Sequence, residues 1–334
     1  MPVTAKPYAL AAILAAVFLA ALPPVAPAEQ FVVATYNVEN WREHFQAESL
    51  KAVAATQPAF TEELLRRLQK EDDEDNWEVA QTIMHPDFNP DILVIQEGCT
   101  QQQLNLFVSR WLRNIYETAV VFPSNTGRDQ HLAILMKPGF RILEKRDQYH
   151  LESDTVDNPR GERLFARGPA FVLVQTPGGY RFWVGTNHQK SKSGNDVEVT
   201  RWRNREAERT NQIINDLARQ VPGVDDVLFL GDMNDEIGFQ EFELQAGGDA
   251  IGTLVGSGDR QLRLVTRELS DAGAVTFGGY WDDRRRTFID HILATPAMEG
   301  QLSDVRVFTG AMAKTASDHY PVMVRVKSDA SKPD

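Results

Sequence analysis

The chain has 334 residues, with 35 Lys plus Arg against 47 Asp plus Glu and a formal net charge of −12. At 42% hydrophobic and 25% charged residues it falls in the globular range, which excludes disorder, collagen-like repeats and a multi-span membrane protein. The single cysteine, Cys99, excludes an internal disulfide and a thiolate-cluster metal site, and the acidic excess argues against coating nucleic acid by bulk charge while leaving a local basic groove open.

Residues 1–28 carry one lysine, Lys6, an apolar run from Tyr8 to Leu22, the helix breakers Pro23 and Pro24, and the small-residue site Ala26-Pro27-Ala28, which is the pattern of an export signal. The run is short of the roughly twenty residues that span a bilayer, so cleavage is expected rather than anchoring. No cysteine stands at the cleavage site, which excludes a lipoprotein. Without Lys6 the chain keeps 34 basic against 47 acidic residues, a charge of −13. The mature protein is thus expected to be exported, periplasmic or extracellular, and to begin near Glu29.

Beyond the signal, β-branched and apolar runs predict strands at 31–35, 92–95, 119–122, 132–136, 171–175, 182–186, 227–230, 288–293, 305–308 and 322–326. Helical periodicity marks 61–70, 101–114 and 199–220. The acidic run 71–75 reads as a solvated loop between two helices. Turns at Lys137-Pro138-Gly139 and Pro177-Gly178-Gly179 read as hairpins and imply much antiparallel pairing. With no internal repeat and no long linker, residues 29–328 read as one α/β (α+β) domain, followed by a disordered tail at 329–334.

Six strand ends carry carboxylates, carboxamides or histidines. Strand 31–35 runs into Asn37, 92–95 into Glu97, 182–186 into Asn187, His188 and Lys190, and 227–230 into Asp232 and Asn234. Asp290 and His291 lie within 288–293, and Asp318 and His319 precede the last strand. Such groups cost free energy when buried unpaired, so their repeated placement beside apolar runs implies that they converge on one another or on a metal. Oxygen ligands without cysteine favour Mg²⁺, Mn²⁺ or Ca²⁺, and histidines paired with carboxylates suit acid/base or charge-stabilising work around a phosphate.

The segments TYNVEN (35–40), DILVIQE (91–97), TNHQKS (186–191), GDMND (231–235), FIDHIL (288–293) and SDHYPV (317–322) together resemble the endonuclease/exonuclease/phosphatase superfamily, in that family's order. The resemblance implies a four-layer αββα sandwich of two mainly antiparallel sheets flanked by helices, with the active site at one edge of the packed sheets. By position it implies Glu97, with Asp318 and Asn37, as metal-side ligands. Asp232 and Asn234 would hold water and phosphate, His319 would act at the phosphate with Asp290 orienting it, and His188 would be a second catalytic histidine. Asn37, Asn187, Lys190 and Arg167 are candidate phosphate contacts. Whether Asp232 or His319 activates water stays open. His291, one residue from Asp290 on a strand, points the other way and reads as structural. Tyr36 and Trp41 read as core or rim, and Glu39 has no readable direction.

Family resemblance implies phosphoester hydrolysis but no substrate. Lys190, Lys192, Arg201, Arg203 and Arg205, then Arg284–Arg286, then Arg160, Arg163 and Arg167 cluster in sequence beside site segments and predict a phosphate-facing surface. The alternative for the helix is an ordinary solvated face on which Arg201, Arg205 and Arg209 pair with Glu198, Glu206 and Glu208. The reading is a secreted, monomeric nuclease or phosphodiesterase with nucleic acid as partner. A phosphomonoesterase or lipid phosphodiesterase is the runner-up, and a catalytically silent binding protein the third.

Overall fold

Period-two alternation sends successive strand side chains to opposite faces, and here both faces are apolar over most of the length. A strand of that kind must be covered on both sides. The computed structural model describes residues 28–54, 62–128, 130–154, 163–192, 196–238, 240–278, 286–310 and 312–328, which form twelve strands in two six-stranded sheets. The first contains β1 (Gln30–Asn37), β2 (Ile92–Gly98), β3 (Thr118–Phe122), β4 (His131–Met136), β11 (Leu302–Val307) and β12 (Val322–Lys327), in the order β11-β12-β1-β2-β4-β3. The second contains β5 (Arg141–Arg146), β6 (Ala170–Gln175), β7 (Arg181–His188), β8 (Val227–Asp232), β9 (Arg263–Leu264) and β10 (Asp290–Ala294), in the order β5-β6-β7-β8-β10-β9. Within the sheets β1–β2 and β7–β8 are parallel and the other pairs antiparallel.

Three apolar layers hold the sandwich together. One face of each sheet meets the other through Phe31, Val33, Val94, Ile134, Phe182, Val184, Leu228, Leu230, Ile292 and Val324. The outer face of the first sheet packs on helices Glu62–Ile83 and Gln101–Arg110 through Tyr36, Val79, Ile83, Leu104 and Phe107. The outer face of the second packs on helix Val197–Gln220 through Trp183, Ile214, Leu217 and Phe229. This is the αββα sandwich, and each fully buried large side chain contributes roughly 1.5–3 kcal/mol by leaving water. Gly185 shows how close the outer packing is, since a Cβ there would stand 2.3 Å from the Phe171 ring.

Local signals set the helix ends. Thr100 and Gln103 form a reciprocal capping box at Gln101–Arg110, and Asp196 accepts from the Glu198 and Val199 amides at Val197–Gln220. Two expectations are corrected. The acidic run 71–75 is not a loop but lies inside the 22-residue helix Glu62–Ile83. Within it Asp72 turns inward to accept from the amides of Gln46 and Ala47, so that carboxylate caps helix Gln46–Ala54 instead of facing water. Lys137-Pro138-Gly139 is not a hairpin either, because it carries the chain from β4 in one sheet to β5 in the other. The Pro177-Gly178-Gly179 turn does join the antiparallel neighbours β6 and β7. Among the described residues no helix is long and apolar enough to cross a membrane. The expected signal, up to residue 27, and the tail 329–334 lie outside the described residues.

Candidate active site

Five of the polar residues at strand ends continue the apolar stripe between the sheets by one further step of two. Phe31 and Val33 lead through Thr35 to Asn37, Ile92 and Val94 to Gln96, and Phe182 and Val184 through Thr186 to His188. Leu228 and Leu230 lead to Asp232, and Ala294 and Ile292 lead back to Asp290. Strand register then aligns them: His188 is paired with Asp232, and Asp232 with Asp290. The inter-sheet layer changes at this edge from hydrocarbon to hydrogen bonds. Thr35 donates to the Gln96 carbonyl oxygen, 2.9 Å, and the Gln96 amide donates to Thr186, 3.0 Å, tying the sheets together beneath the site.

Asp232, almost wholly buried, is the hub. Its Oδ2 accepts from Asn37 Nδ2 at 3.0 Å and lies 3.1 Å from His188 Nε2, while its Oδ1 accepts from the Asn234 amide at 2.8 Å. His319 Nε2 stands 3.8 Å from the same Oδ2. His319 is held by Asp290 Oδ2, 2.8 Å from its Nδ1, and by ring packing on Phe277. Its segment hangs on β1, because Ser317 donates to the Asn37 carbonyl, 2.8 Å, and the Asp318 amide donates to Glu39 Oε2, 3.0 Å.

Glu97 arrives by a different route. Simple alternation would turn it toward the helix layer with Ile95, but a bulge between Ile95 and Gly98 and a left-handed φ of 54° re-aim it. Its Oε2 accepts from the Asn40 amide, 2.8 Å, and from Gln130 Nε2, 2.9 Å, and its Oε1 lies 3.8 Å from His188 Nε2 and 3.9 Å from an Arg167 amino group. Glu39, Asn40 and Asn234 also sit at positive φ. Four strained residues in one site are the mark of a geometry held for function rather than stability.

Charge is unevenly distributed across this cluster. Burial would push the Asp232 carboxyl up, but His188 and His319 outweigh it and hold it well below the usual carboxylate range. Burial likewise pulls His319 down, yet Asp290, Asp232 and Asp318 push it up to about 10, so it is an imidazolium. Burial and Arg167 pull His188 down against the opposing effect of Asp232 and Glu97, and its Nε2 faces Asp232. Asp318 is pushed up to about 6 by burial and, against the opposing pull of His319, by Glu39, Glu97 and Asp232.

That last shift bears on a metal. Glu39, Glu97 and Asp318 crowd negative charge at the open side of the site, a hard-oxygen set without sulfur that a divalent cation would relieve. Asp232, Asp290 and His319 also bring one ligand atom each within 4.8 Å of one another. There the His319–Asp290 hydrogen bond takes up the histidine's Nδ1 and leaves its Nε2. Asn37 stands between the two groups, with Oδ1 accepting from the Glu39 amide.

The structure thus brings together Asn37, Glu97, His188, Asp232, Asn234, Asp290, Asp318 and His319. Arg167 joins them, though its guanidinium is buried and donates to Gln130 Oε1 and the Gln189 carbonyl. Asn187 does not: strand parity puts it on the helix side of β7, opposite His188, where its amide is buried. Lys190 Nζ lies 5.8 Å over the Trp202 ring, on helix Val197–Gln220.

Among the described residues, much of the expected basic surface is committed to carboxylates of this chain. Arg205 and Arg209 pair with Asp154 and Glu152 rather than with their helix neighbours, and Arg201 pairs with Glu198. Arg203 is buried against Asp235, and Lys192 binds Asp235 and Glu243. Glu206 turns inward to accept from the Ala166 and Lys190 amides. Arg160, Arg284 and Arg285 lie outside the described residues. His291 is structural as expected, anchoring the Asp232 loop through the Asp235 carbonyl, 3.1 Å, and Thr266, 3.1 Å. Gln96, Gln130 and Asn40 are site residues to which the sequence assigned no role, and Glu39, whose direction it left unread, joins them. Gln130 had a signal, being a polar residue at the start of an apolar strand.

Residues 34–319 match the Endonuclease/Exonuclease/phosphatase family. No curated protein matches the chain. Among solved structures it is similar to an endonuclease/exonuclease/phosphatase family protein of Bacteroides thetaiotaomicron, at 19% identity and TM-score 0.56 over 90% of this chain and 99% of that one. Truncated Caenorhabditis elegans TDP2 aligns at 14% identity and TM-score 0.57, covering 90% and 98%. The human Nocturnin catalytic domain with bound sulfate aligns at 14% and 0.57, covering 92% and 100%.

Proposed function

The chain belongs to the endonuclease/exonuclease/phosphatase family and is a phosphoester-bond hydrolase, and from that premise we propose that it is an exported phosphodiesterase of the nuclease type, dependent on a divalent cation. The observation that carries the reading is the convergence on Asp232 of Asn37, His188, Asn234 and His319 from both sheets. Mg²⁺ is the first choice of ion, with Mn²⁺ or Ca²⁺ as alternatives.

Glu97 and Asp318 would hold the cation, with Glu39 and Asn37 beside them. Bound there, it supplies positive charge to the phosphate oxygens and lowers the barrier to attack by water. Asp232 is ionised and accepts the proton of the attacking water. Asn234 gives its Nδ2 to the Gln189 carbonyl, 3.0 Å, which leaves its Oδ1 to orient that water. His319 carries a proton on both ring nitrogens. Nδ1–H donates a hydrogen bond to Asp290 Oδ2, and Nε2–H faces the gap between Asp232 and Asp318, 3.8 Å from each, where it donates to a phosphate oxygen as charge develops. His188 keeps Asp232 in place. These roles make Asp232 the base and His319 the electrophile.

With Mg²⁺, residues 29–334 are expected to nick plasmid DNA and to hydrolyse bis(p-nitrophenyl) phosphate about tenfold or more faster than p-nitrophenyl phosphate, a difference of roughly 1.4 kcal/mol in barrier. A preference for the monoester would make the protein a phosphatase. Hydrolysis of neither would leave a silent protein on this fold.

A further inference from the structure

A cavity of about 500 Å³ with mixed polar and apolar walls lies immediately beyond Glu97, between helix Gln46–Ala54 and the segment before β4. The partition between cavity and site is one side chain thick. Gln130 Nε2 donates to Glu97 Oε2 at 2.9 Å and to Asn40 Oδ1 at 2.6 Å, and both Gln130 and Asn40 face the cavity. A phosphate held at a cation beside Glu97 has this cavity as its neighbour on the Gln130 side. We propose that this cavity is the subsite for one nucleoside of the phosphodiester, an inference that rests on the phosphodiesterase reading above.

Two observations select that occupant. The walls combine the carboxamides of Asn40, Gln46 and Gln130, the Ser49 hydroxyl, the Glu43 carboxylate and the Arg128 guanidinium with a comparable apolar lining that includes Leu50, as an amphipathic base and sugar require. Amide and guanidinium groups match the donor and acceptor edges of a base and the hydroxyls of a sugar, whereas an acyl chain would leave these polar groups unpaired. The volume suits one small-molecule-sized unit and not a duplex.

Gly127 gives a clean test. It lines the cavity, and no atom lies within 4 Å of the position a Cβ would take, so a large side chain has room there without disturbing the core. Gly127→Phe is expected to raise KM for thymidine 5′-(p-nitrophenyl phosphate) about tenfold or more, near 1.4 kcal/mol, while kcat/KM for bis(p-nitrophenyl) phosphate stays within about twofold. Equal losses on both substrates, or none on either, overturn the subsite. Calorimetric binding of thymidine monophosphate, weakened about tenfold by the same substitution, reads the subsite without catalysis. If wild type hydrolyses no phosphodiester but this binding difference holds, the functional reading fails and the subsite stands; undiminished binding overturns the subsite. Tighter wild-type binding of inositol 1-phosphate than of thymidine monophosphate overturns the nucleoside assignment.

Discussion

Asp232→Asn is expected to lower kcat for phosphodiester hydrolysis by about three orders of magnitude or more, roughly 4 kcal/mol of transition-state stabilisation, with the fold retained. The substitution keeps the shape, and the Asn234 amide can still donate to the remaining carbonyl oxygen. What it removes is the charge and the proton acceptor. It also sets an amide N–H against Asn37 Nδ2 or His188 Nε2, both of which now donate to or face Oδ2. A buried donor left without an acceptor costs about 1–3 kcal/mol, so some loss of stability accompanies the change. Circular dichroism and a melting curve distinguish that from unfolding. A near wild-type kcat in a folded Asp232→Asn protein would move the base role elsewhere.

His319→Gln carries the second large effect, a loss of about two to three orders of magnitude in kcat with KM little changed. The imidazolium is built by its surroundings: Asp290 at 2.8 Å on one nitrogen, with Asp232 and Asp318 each at 3.8 Å from the other. Glutamine keeps a donor but no charge, so it tests the cation and not merely the hydrogen bond. Asp290→Asn leaves His319 in place and is expected to cost less. The sign of the pH dependence follows from the upward shift to about 10: the charged form persists through neutral pH and is lost only on the alkaline side. A wild-type rate that rises with pH through 6 to 7, in a limb that His319→Gln abolishes, would instead make His319 the base.

Much of this site was legible as a rule about parity. An apolar stripe of period two, extended one step past its last hydrophobic residue, lands on Asn37, His188 and Asp232, and run backwards from Ile292 it lands on Asp290. The same rule separates His291 from Asp290, and it would also have moved Asn187 off the site. Glu97 breaks it, because a bulge and a left-handed backbone turn an outward position inward, and neither is written in the side-chain pattern. Glu39 is obscured for the same reason, with φ at 46° just past the strand end. Charge patterning misled where tertiary contacts outrank local ones. Asp72 caps a neighbouring helix, and Arg205 and Arg209 reach past their own helix to Asp154 and Glu152. The four-layer sandwich itself was legible through the family resemblance and not through periodicity, which gave strands and helices but no pairing order.

The most direct measurement is the Mg²⁺ dependence of the initial rate of bis(p-nitrophenyl) phosphate hydrolysis, for wild type and for Glu97→Gln. The expected result is no hydrolysis after chelation, full recovery on adding Mg²⁺, and a Glu97→Gln curve displaced to about tenfold or more higher Mg²⁺, as loss of a ligand carboxylate requires. A wild-type rate that survives chelation, or a Glu97→Gln curve that overlies the wild-type one, would contradict metal-dependent hydrolysis at this site.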